Sequence, residues 1–442
     1  MTDQARPMVP GRRDWLPEAA RLREQTILSR AGDADTGWLE ERLNLLVHRN
    51  RQIHEAECVN LNPATNVMNP RAEALMAAGL GTRASLGYPG TKYEMGLEAI
   101  EEIEVLTAAL AARVFGARYA EVRVGSGSLA NAYAFLATCA SGDRIIAPPA
   151  AIGGHATHHQ EGIAGLLNLE VHDAPIDAAG YTIDVPGLAA LANRVRPALI
   201  TIGGSLNLSP HPVRAIRAIA DEVGARVLFD AAHVCGVIAG GAWPNPLADG
   251  ADIMTMSTYK SLGGPPAGLV LTDDPALARR IDTIAYPGIT ANFDASKTAA
   301  LALTLLDWLD FGERYAAAMV SAASALAGAL SNREIPVFST AKGPTTSHQF
   351  AVDATSWGGG QTAALRLRSA NVLASAIGLP GRRQMSGLRL GTPEIVRWGM
   401  RDQDMPELAD LITLALRGDP LDVAARTSAF RRRFTEVHFI RR

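Results

Sequence analysis

From Ala120 onward the chain alternates short apolar runs with longer stretches of helical period. The runs are Ala120 to Val124, Arg144 to Ala147, Ala198 to Ile202, Arg226 to Phe229, Ile253 to Met256 and Gly268 to Leu271; helix-like segments such as Ala130 to Ala140 and Val213 to Val223 lie between them. Runs this short suit strands buried on both faces and are too brief for helices. Strands separated by helices need crossover connections, so the pattern predicts βαβ units, a mainly parallel sheet and an α/β fold.

Elsewhere the pattern is helical. Thr36 to Ala56 reads as a charged helix, and Leu97 to Phe115 as an amphipathic one with Leu97, Ile100, Ile103 or Val105, Leu106 and Leu110 on one face. Beyond Tyr286 the spacing predicts two helices, Ser296 to Phe311 and Ala316 to Leu330. The apolar segments Pro336 to Phe338 and Gln349 to Val352, a Gly-rich turn at 358–360 and a closing helix over Met405 to Leu416 follow. The expected organisation is an N-terminal arm and helix over 1–60, a large domain over 61–290, and linking helices with a smaller C-terminal α/β domain over 291–442. No internal repeat or low-complexity tract interrupts it.

Composition narrows the class. With 442 residues the chain exceeds the usual size of one core, and 48% hydrophobic with 20% charged residues is the balance of a folded soluble protein. A formal net charge of −3 without long charged blocks points to neither nucleic acid nor a membrane surface as partner. There is no uncharged apolar run of about 18 residues, and MTDQARPMVPGRRDW lacks a signal-peptide core, so the expected location is cytoplasmic. Cys58, Cys139 and Cys235 are too scattered for a disulfide framework or a zinc site and read as small buried residues.

Four features fall where strands should end. Ser126-Gly127-Ser128 follows AEVRV and opens a helix-like segment. Small residues and a helix N-terminus suit an anion, although the same tripeptide is also an ordinary helix cap. Asp230 closes VLFD, at an edge where an acid can face a cationic ring nitrogen or simply cap a turn. Gly153-Gly154-His155-Ala156-Thr157-His158-His159 offers an imidazole for stacking on a planar group, while most isolated histidines are surface residues. Lys260 ends the hydroxyl-rich run Ser257-Thr258-Tyr259, which can reach a phosphate, and abuts Gly263-Gly264-Pro265-Pro266. A lysine that forms an imine must be partly desolvated or lie near positive charge; a solitary strand-end lysine more commonly snorkels to solvent. In this chain order the four features match the needs of pyridoxal phosphate: a phosphate grip, a stacking ring, an acid for the pyridinium nitrogen and an amine for the aldehyde.

The same segments resemble the serine hydroxymethyltransferase family, pyridoxal-phosphate enzymes of fold type I. The resemblance rests on Tyr88-Pro89-Gly90, FGARYAEVRVGSGSLAN (115–131), GGHATHH (153–159), IRAIADEVGARVLFDAAHVCGVIAGG (216–241), STYKSLGGPPAGLVL (257–271) and GLRLGTPEIVRWGM (387–400). It implies a large domain built on a mainly parallel seven-stranded sheet, a smaller C-terminal α/β domain, and a homodimer with a shared active site. It further implies Lys260 as the Schiff-base lysine, Asp230 on the pyridinium nitrogen, His155 stacked on the ring, and Ser126, Gly127 and Ser128 at the phosphate. Ser205 and His233 would lie near the phenolic oxygen, and Arg389 would bind the amino-acid carboxylate, a role suited to a guanidinium fork. Tyr93 stays on the substrate side, and His155, Glu94 and His158 are candidate proton carriers.

Several positions depart from the family pattern. Ala84 and Leu86 stand where the family carries a tyrosine and a proton-handling glutamate, and Glu94 replaces a second tyrosine. Tyr259 replaces a histidine and Pro266 an arginine, and Thr290-Ala291-Asn292 replaces a Gln-Gly-Gly loop. Ser375-Ala376-Ile377 and the shortened Pro380-Gly-Arg-Arg-Gln stand where the family holds its pterin. Leucine cannot move a proton. The expected activity is therefore pyridoxal-phosphate-dependent cleavage or formation of the Cα–Cβ bond of a β-hydroxy-α-amino acid without tetrahydrofolate. Such an aldolase or transaldolase would take an amino acid and an aldehyde, with α-methylserine- or threonine-like substrates. The alternatives are a folate-dependent (α-methyl)serine hydroxymethyltransferase and a silent homologue acting as a binding partner; intact Lys260, Asp230, His155 and Arg389 weigh against the last.

Overall fold

The computed structural model describes residues 11, 13–32, 34–382 and 385–442. Residues 1–10 of the expected arm, with Arg12 and Asp33, and Arg383 and Gln384 of the shortened loop lie outside the described residues. The chain forms two compact units, Met1–Cys58 and Val59–Arg442. In the first, helices Glu18–Ala31 and Thr36–Arg51 bury none of their residues, and Asp35 caps the second by accepting from the Trp38 N–H at 2.8 Å.

The second unit holds one seven-stranded sheet: β1 (Tyr119–Val124), β2 (Arg144–Ala147), β3 (Glu170–Asp173), β4 (Leu199–Gly203), β5 (Arg226–Asp230), β6 (Ile253–Ser257) and β7 (Gly268–Thr272). Their spatial order is β1-β7-β6-β5-β4-β2-β3. Only β7 runs antiparallel, to both its neighbours; the other pairings are parallel. Side chains alternate between two cores. Ile146, Ile200, Phe229, Met254 and Leu271 enter one, while Ile145, Leu199, Leu228, Ile253 and Val270 enter the other. This is the two-faced burial that the short apolar runs predict.

Helix Glu98–Phe115 ends at Gly116, but its buried stripe differs from the expected one. Ile100, Glu104, Thr107, Ala111 and Phe115 face inward, whereas Val105 and Leu106 are about half exposed, at 52% and 51%. The reason is an ion pair: Lys92 Nζ lies 2.7 Å from Glu104 Oε2, so a carboxylate occupies a position that hydropathy assigns to solvent.

The two helices expected after Tyr286 are one, Ala295–Ser331. Gly312 does not break it but lets it approach the Gly240 backbone, where a Cβ on Gly240 would lie 2.3 Å from Gly312 O. Beyond it, β8 (Gln349–Asp353), β9 (Ser375–Ile377) and β10 (Gly387–Gly391) form an antiparallel sheet with β10 central. Pro336 to Phe338 contributes only a single bridge, Val337 to Val352, rather than a strand. Helix Met405–Arg417 matches expectation, and a further helix, Pro420–Arg431, follows it. Among the described residues, no helix is long and apolar enough to cross a membrane.

Candidate active site

The functional side chains sit just past the C-terminal ends of parallel strands, where crossover loops converge. Ser126 to Ser128 follow β1, His155 follows β2, Ser205 follows β4, Asp230 and His233 close and follow β5, and Ser257 to Lys260 close and follow β6. Residues from all five loops line one cleft.

One end of the cleft suits an anion. Ser126 caps helix Gly127–Thr138, its Oγ accepting from the Leu129 N–H at 3.2 Å. The first N–H groups of a helix have no intrahelical partner and carry a positive partial charge. Gly127 is required by closeness, since a Cβ there would stand 2.0 Å from Ser257 Oγ. The hydroxyls of Ser126, Ser128, Ser257 and Tyr259 lie along the same cleft.

Deeper in lies Asp230, 4% exposed. Its Oδ2 accepts from Asn131 Nδ2 and bonds His158 Nε2, both at 2.9 Å, and its Oδ1 accepts from the Ala232 N–H at 2.9 Å. Burial pushes the carboxyl up, but these bonds outweigh it and hold Asp230 well below the usual carboxylate range. Asn131 is one of the residues that sequence reasoning missed. Besides Asp230 its amide donates to Thr157 Oγ1 at 2.9 Å and accepts from Thr255 Oγ1 at 2.6 Å, tying the loops after β1, β2 and β5 together.

Lys260 is 6% exposed, and its Nζ lies 3.1 Å from His233 Nε2. Burial lowers the ammonium to about 8, with Asp230 opposing the shift and Arg389 adding to it. His233, buried and beside these cations, is pushed well below its usual range and so is neutral. His155 lines the cleft, and burial lowers it too, with Asp230 opposing.

Arg389, on the second sheet, adjoins the cleft. Its Nη1 donates to Ser205 O at 2.5 Å and lies 3.3 Å from His233 Nε2. Ser375 is its cross-strand partner, and Ser375 Oγ accepts from both Nε and Nη2, at 3.1 and 3.0 Å. One hydroxyl therefore fixes the plane of the guanidinium. Ser375→Ala is expected to raise KM for the amino acid by about fivefold, the worth of a hydrogen bond of about 1 kcal/mol, with kcat nearly unchanged. Steady-state kinetics on the two proteins check this split.

Three expected site residues are placed differently. His158 is buried against Asp230 and so positions that carboxylate instead of meeting substrate. Tyr93 is 80% exposed and Glu94 half-buried, and within this chain neither lines the cleft.

The sequence model of the family described as serine hydroxymethyltransferase matches residues 40–412. The chain belongs to the serine hydroxymethyltransferase family. It is similar to an α-methylserine aldolase of Variovorax paradoxus, 58% identical over 97% of this chain and 98% of that one. It is also similar to an α-methylserine aldolase of a Ralstonia species, 52% identical over 97% and 99% of the two chains. A serine hydroxymethyltransferase of Staphylothermus marinus is 36% identical over 87% and 89%. Membership makes the chain a pyridoxal-phosphate-dependent enzyme of fold type I, and the residues present fit that cofactor. The Gly127 cradle and the hydroxyls around it suit the phosphate, ionised Asp230 suits a pyridinium N–H, and the desolvated Lys260 amine suits the aldehyde.

Proposed function

We propose that the protein is a folate-independent aldolase that cleaves α-methylserine-type β-hydroxy-α-amino acids to an aldehyde and the shortened amino acid. One observation carries the reading: the groups for the cofactor line one cleft and Arg389 bonds two of its lining residues, while half-buried Leu86 stands where the family carries a proton-handling glutamate. Two features accompany it. Ser375 Oγ is engaged by Arg389 and Ile377 is buried, so neither offers the polar contact that a pterin needs. The relatives named α-methylserine aldolase align over nearly the whole chain.

Bound pyridoxal phosphate would supply an aldehyde that condenses with amines and a ring that accepts the electron pair of the bond broken at Cα. Arg389, oriented by Ser375, grips the substrate carboxylate. That grip fixes how Cα is turned, and so which of its bonds would be broken. Ionised Asp230, held in place by His158 and Asn131, would keep the ring nitrogen protonated. Neutral His233 lies within hydrogen-bond distance of Lys260 Nζ and so holds the amine in place. In this reading His155 is the base for the β-hydroxyl proton, because burial keeps it neutral and the rival carriers His158 and Glu94 lie elsewhere. As the hydroxyl loses its proton, Cβ–O becomes a carbonyl, the Cα–Cβ bond breaks, and protonation of Cα completes the amino acid. For α-methylserine the products are formaldehyde and alanine.

Product analysis of the loaded enzyme on α-methylserine, serine, threonine and phenylserine, each with and without tetrahydrofolate, tests the reading. Formaldehyde and alanine from α-methylserine without folate are expected. Turnover that requires folate would return the protein to hydroxymethyl transfer.

The active form in this proposal is a homodimer. The first unit leaves Trp15, Trp38, Leu43 and Val47 at 78%, 40%, 64% and 64% exposure, and in the second unit Tyr93 and Met95 stand 80% and 84% exposed. Apolar surface on this scale is what a second copy would cover. Sedimentation analysis is expected to give twice the 46.7 kDa chain mass, and a monomer would refute the assembly.

A further inference from the structure

The loop that carries Lys260 has no regular structure between β6 and β7, yet three of its carbonyls are held by side chains from distant segments. Asn66 Nδ2 donates to Lys260 O at 3.1 Å, Trp308 Nε1 to Leu262 O at 2.8 Å, and Arg397 Nη1 to Gly263 O at 2.8 Å. All three donors meet at Tyr315, a ring 1% exposed. Asn66 Nδ2 also donates to Tyr315 OH at 2.9 Å, the Trp308 ring lies 5.3 Å from the Tyr315 ring, and the Arg397 guanidinium carbon lies 5.3 Å from its centroid. The Tyr315 hydroxyl in turn donates to Pro393 O at 2.7 Å.

Phe439 stacks on that same ring, 5.1 Å between centroids and 18° between planes. Its φ is +58°, a left-handed conformation that bulky residues seldom adopt, so tertiary contacts hold it there. The contacts are specific. The His438 N–H donates to Arg397 O and the Arg441 N–H to Asp307 Oδ1, both at 2.7 Å. Asn69 Nδ2 donates to Arg441 O at 3.2 Å and Arg71 Nη1 to Arg442 O at 3.0 Å. Residues 438–442 are thus fastened to the floor beneath the lysine loop.

We propose that this segment is a strap that positions Lys260, with Phe439 as the positioning residue acting through Tyr315 and Asn66. None of these side chains lines the cleft, so the role is to hold the lysine's backbone and not to touch substrate. The inference rests on Lys260 being the amine that takes the cofactor aldehyde.

The test is amide hydrogen exchange of residues 260–264 in the full-length protein, with and without pyridoxal phosphate, alongside cofactor loss on dialysis. The Gly263 N–H bonds Lys260 O at 2.9 Å and the Gly264 N–H bonds Thr258 O at 2.8 Å, so both report on the loop directly. In Phe439→Ala these amides are expected to exchange at least about tenfold faster, while β4 and β5 keep their protection. Cofactor loss should quicken, and kcat should fall by about tenfold or more with KM less affected, within the about hundredfold that a displacement of about 1 Å can cost. Phe439→Tyr, which keeps the ring, should restore all three. Asn66→Ala should repeat the loss, and the double variant should be no worse than Asn66→Ala alone, as for residues acting in one chain. Unchanged loop exchange in Phe439→Ala would overturn the proposal. So would equal acceleration across the whole sheet in both Phe439→Ala and the milder Phe439→Leu, because that is plain destabilisation. If the parent protein takes up no pyridoxal phosphate, the cofactor reading fails, and exchange in the 260–264 loop still decides the strap.

Discussion

Lys260→Ala is expected to abolish aldehyde release, lowering kcat by on the order of 10³-fold or more, as removal of a covalent catalytic group does. The fold should persist, because the substitution removes a buried amine whose neighbours are His233 and Arg389, themselves cationic or neutral. Borohydride reduction followed by peptide mass analysis checks the assignment independently of turnover. The parent should gain the cofactor mass on the peptide that contains Lys260, and the variant should not. A variant within about tenfold of the parent would show that another amine does the work. The pH dependence follows from the lysine's environment. Burial lowers its ammonium to about 8, so only the protonated form prevails below that pH. The rate at which the cofactor-free protein captures pyridoxal phosphate should therefore rise with pH through about 8 and level above it.

Asp230→Asn carries the second large effect. The carboxylate takes bonds from His158, Asn131 and the Ala232 N–H, and an amide in its place has one acceptor oxygen and turns its own donors toward the others. The ring nitrogen then loses its anionic partner. kcat should fall by about 10²–10³-fold, the usual cost of removing a fixed electrostatic partner. KM should move little, because Arg389 and Ser375 are untouched. Because its hydrogen bonds hold Asp230 well below the usual carboxylate range, its titration should not appear in the acid limb of the parent's pH profile. Rates for the variant within threefold of the parent would remove Asp230 from the mechanism.

Much of this was legible in the chain. Strands β1, β2 and β4 to β7 announce themselves as apolar runs, and the chemistry lies where those runs stop, so Ser126, Asp230, Ser257 and Lys260 can be placed on one sheet edge from spacing alone. β3 could not be seen, because EVHD at the sheet edge is partly exposed and has no apolar run. Glu104 misled the helix reading because its partner, Lys92, lies on a hairpin that no periodicity connects to it. Asn131, Ser375 and Asn66 escaped for a related reason. Each is a small polar residue whose role comes from a partner 99, 14 or 194 positions away, and sequence pattern has no term for such a meeting. His158 was visible, but its direction was not, since only the fold decides whether an imidazole faces the cleft or the acid behind it.

Arg389 and Ser375 belong to the three-stranded sheet, whereas Lys260, Asp230 and the anion cradle belong to the seven-stranded one. In the proposed reading the substrate's carboxylate and the cofactor are consequently held by two separate frames, like work held between a vice and a chuck. Any slight play between the frames tilts the scissile bond before it disturbs the seated cofactor. Selectivity for one side chain over another can therefore drift by changes far from the cleft, while the protein keeps its colour.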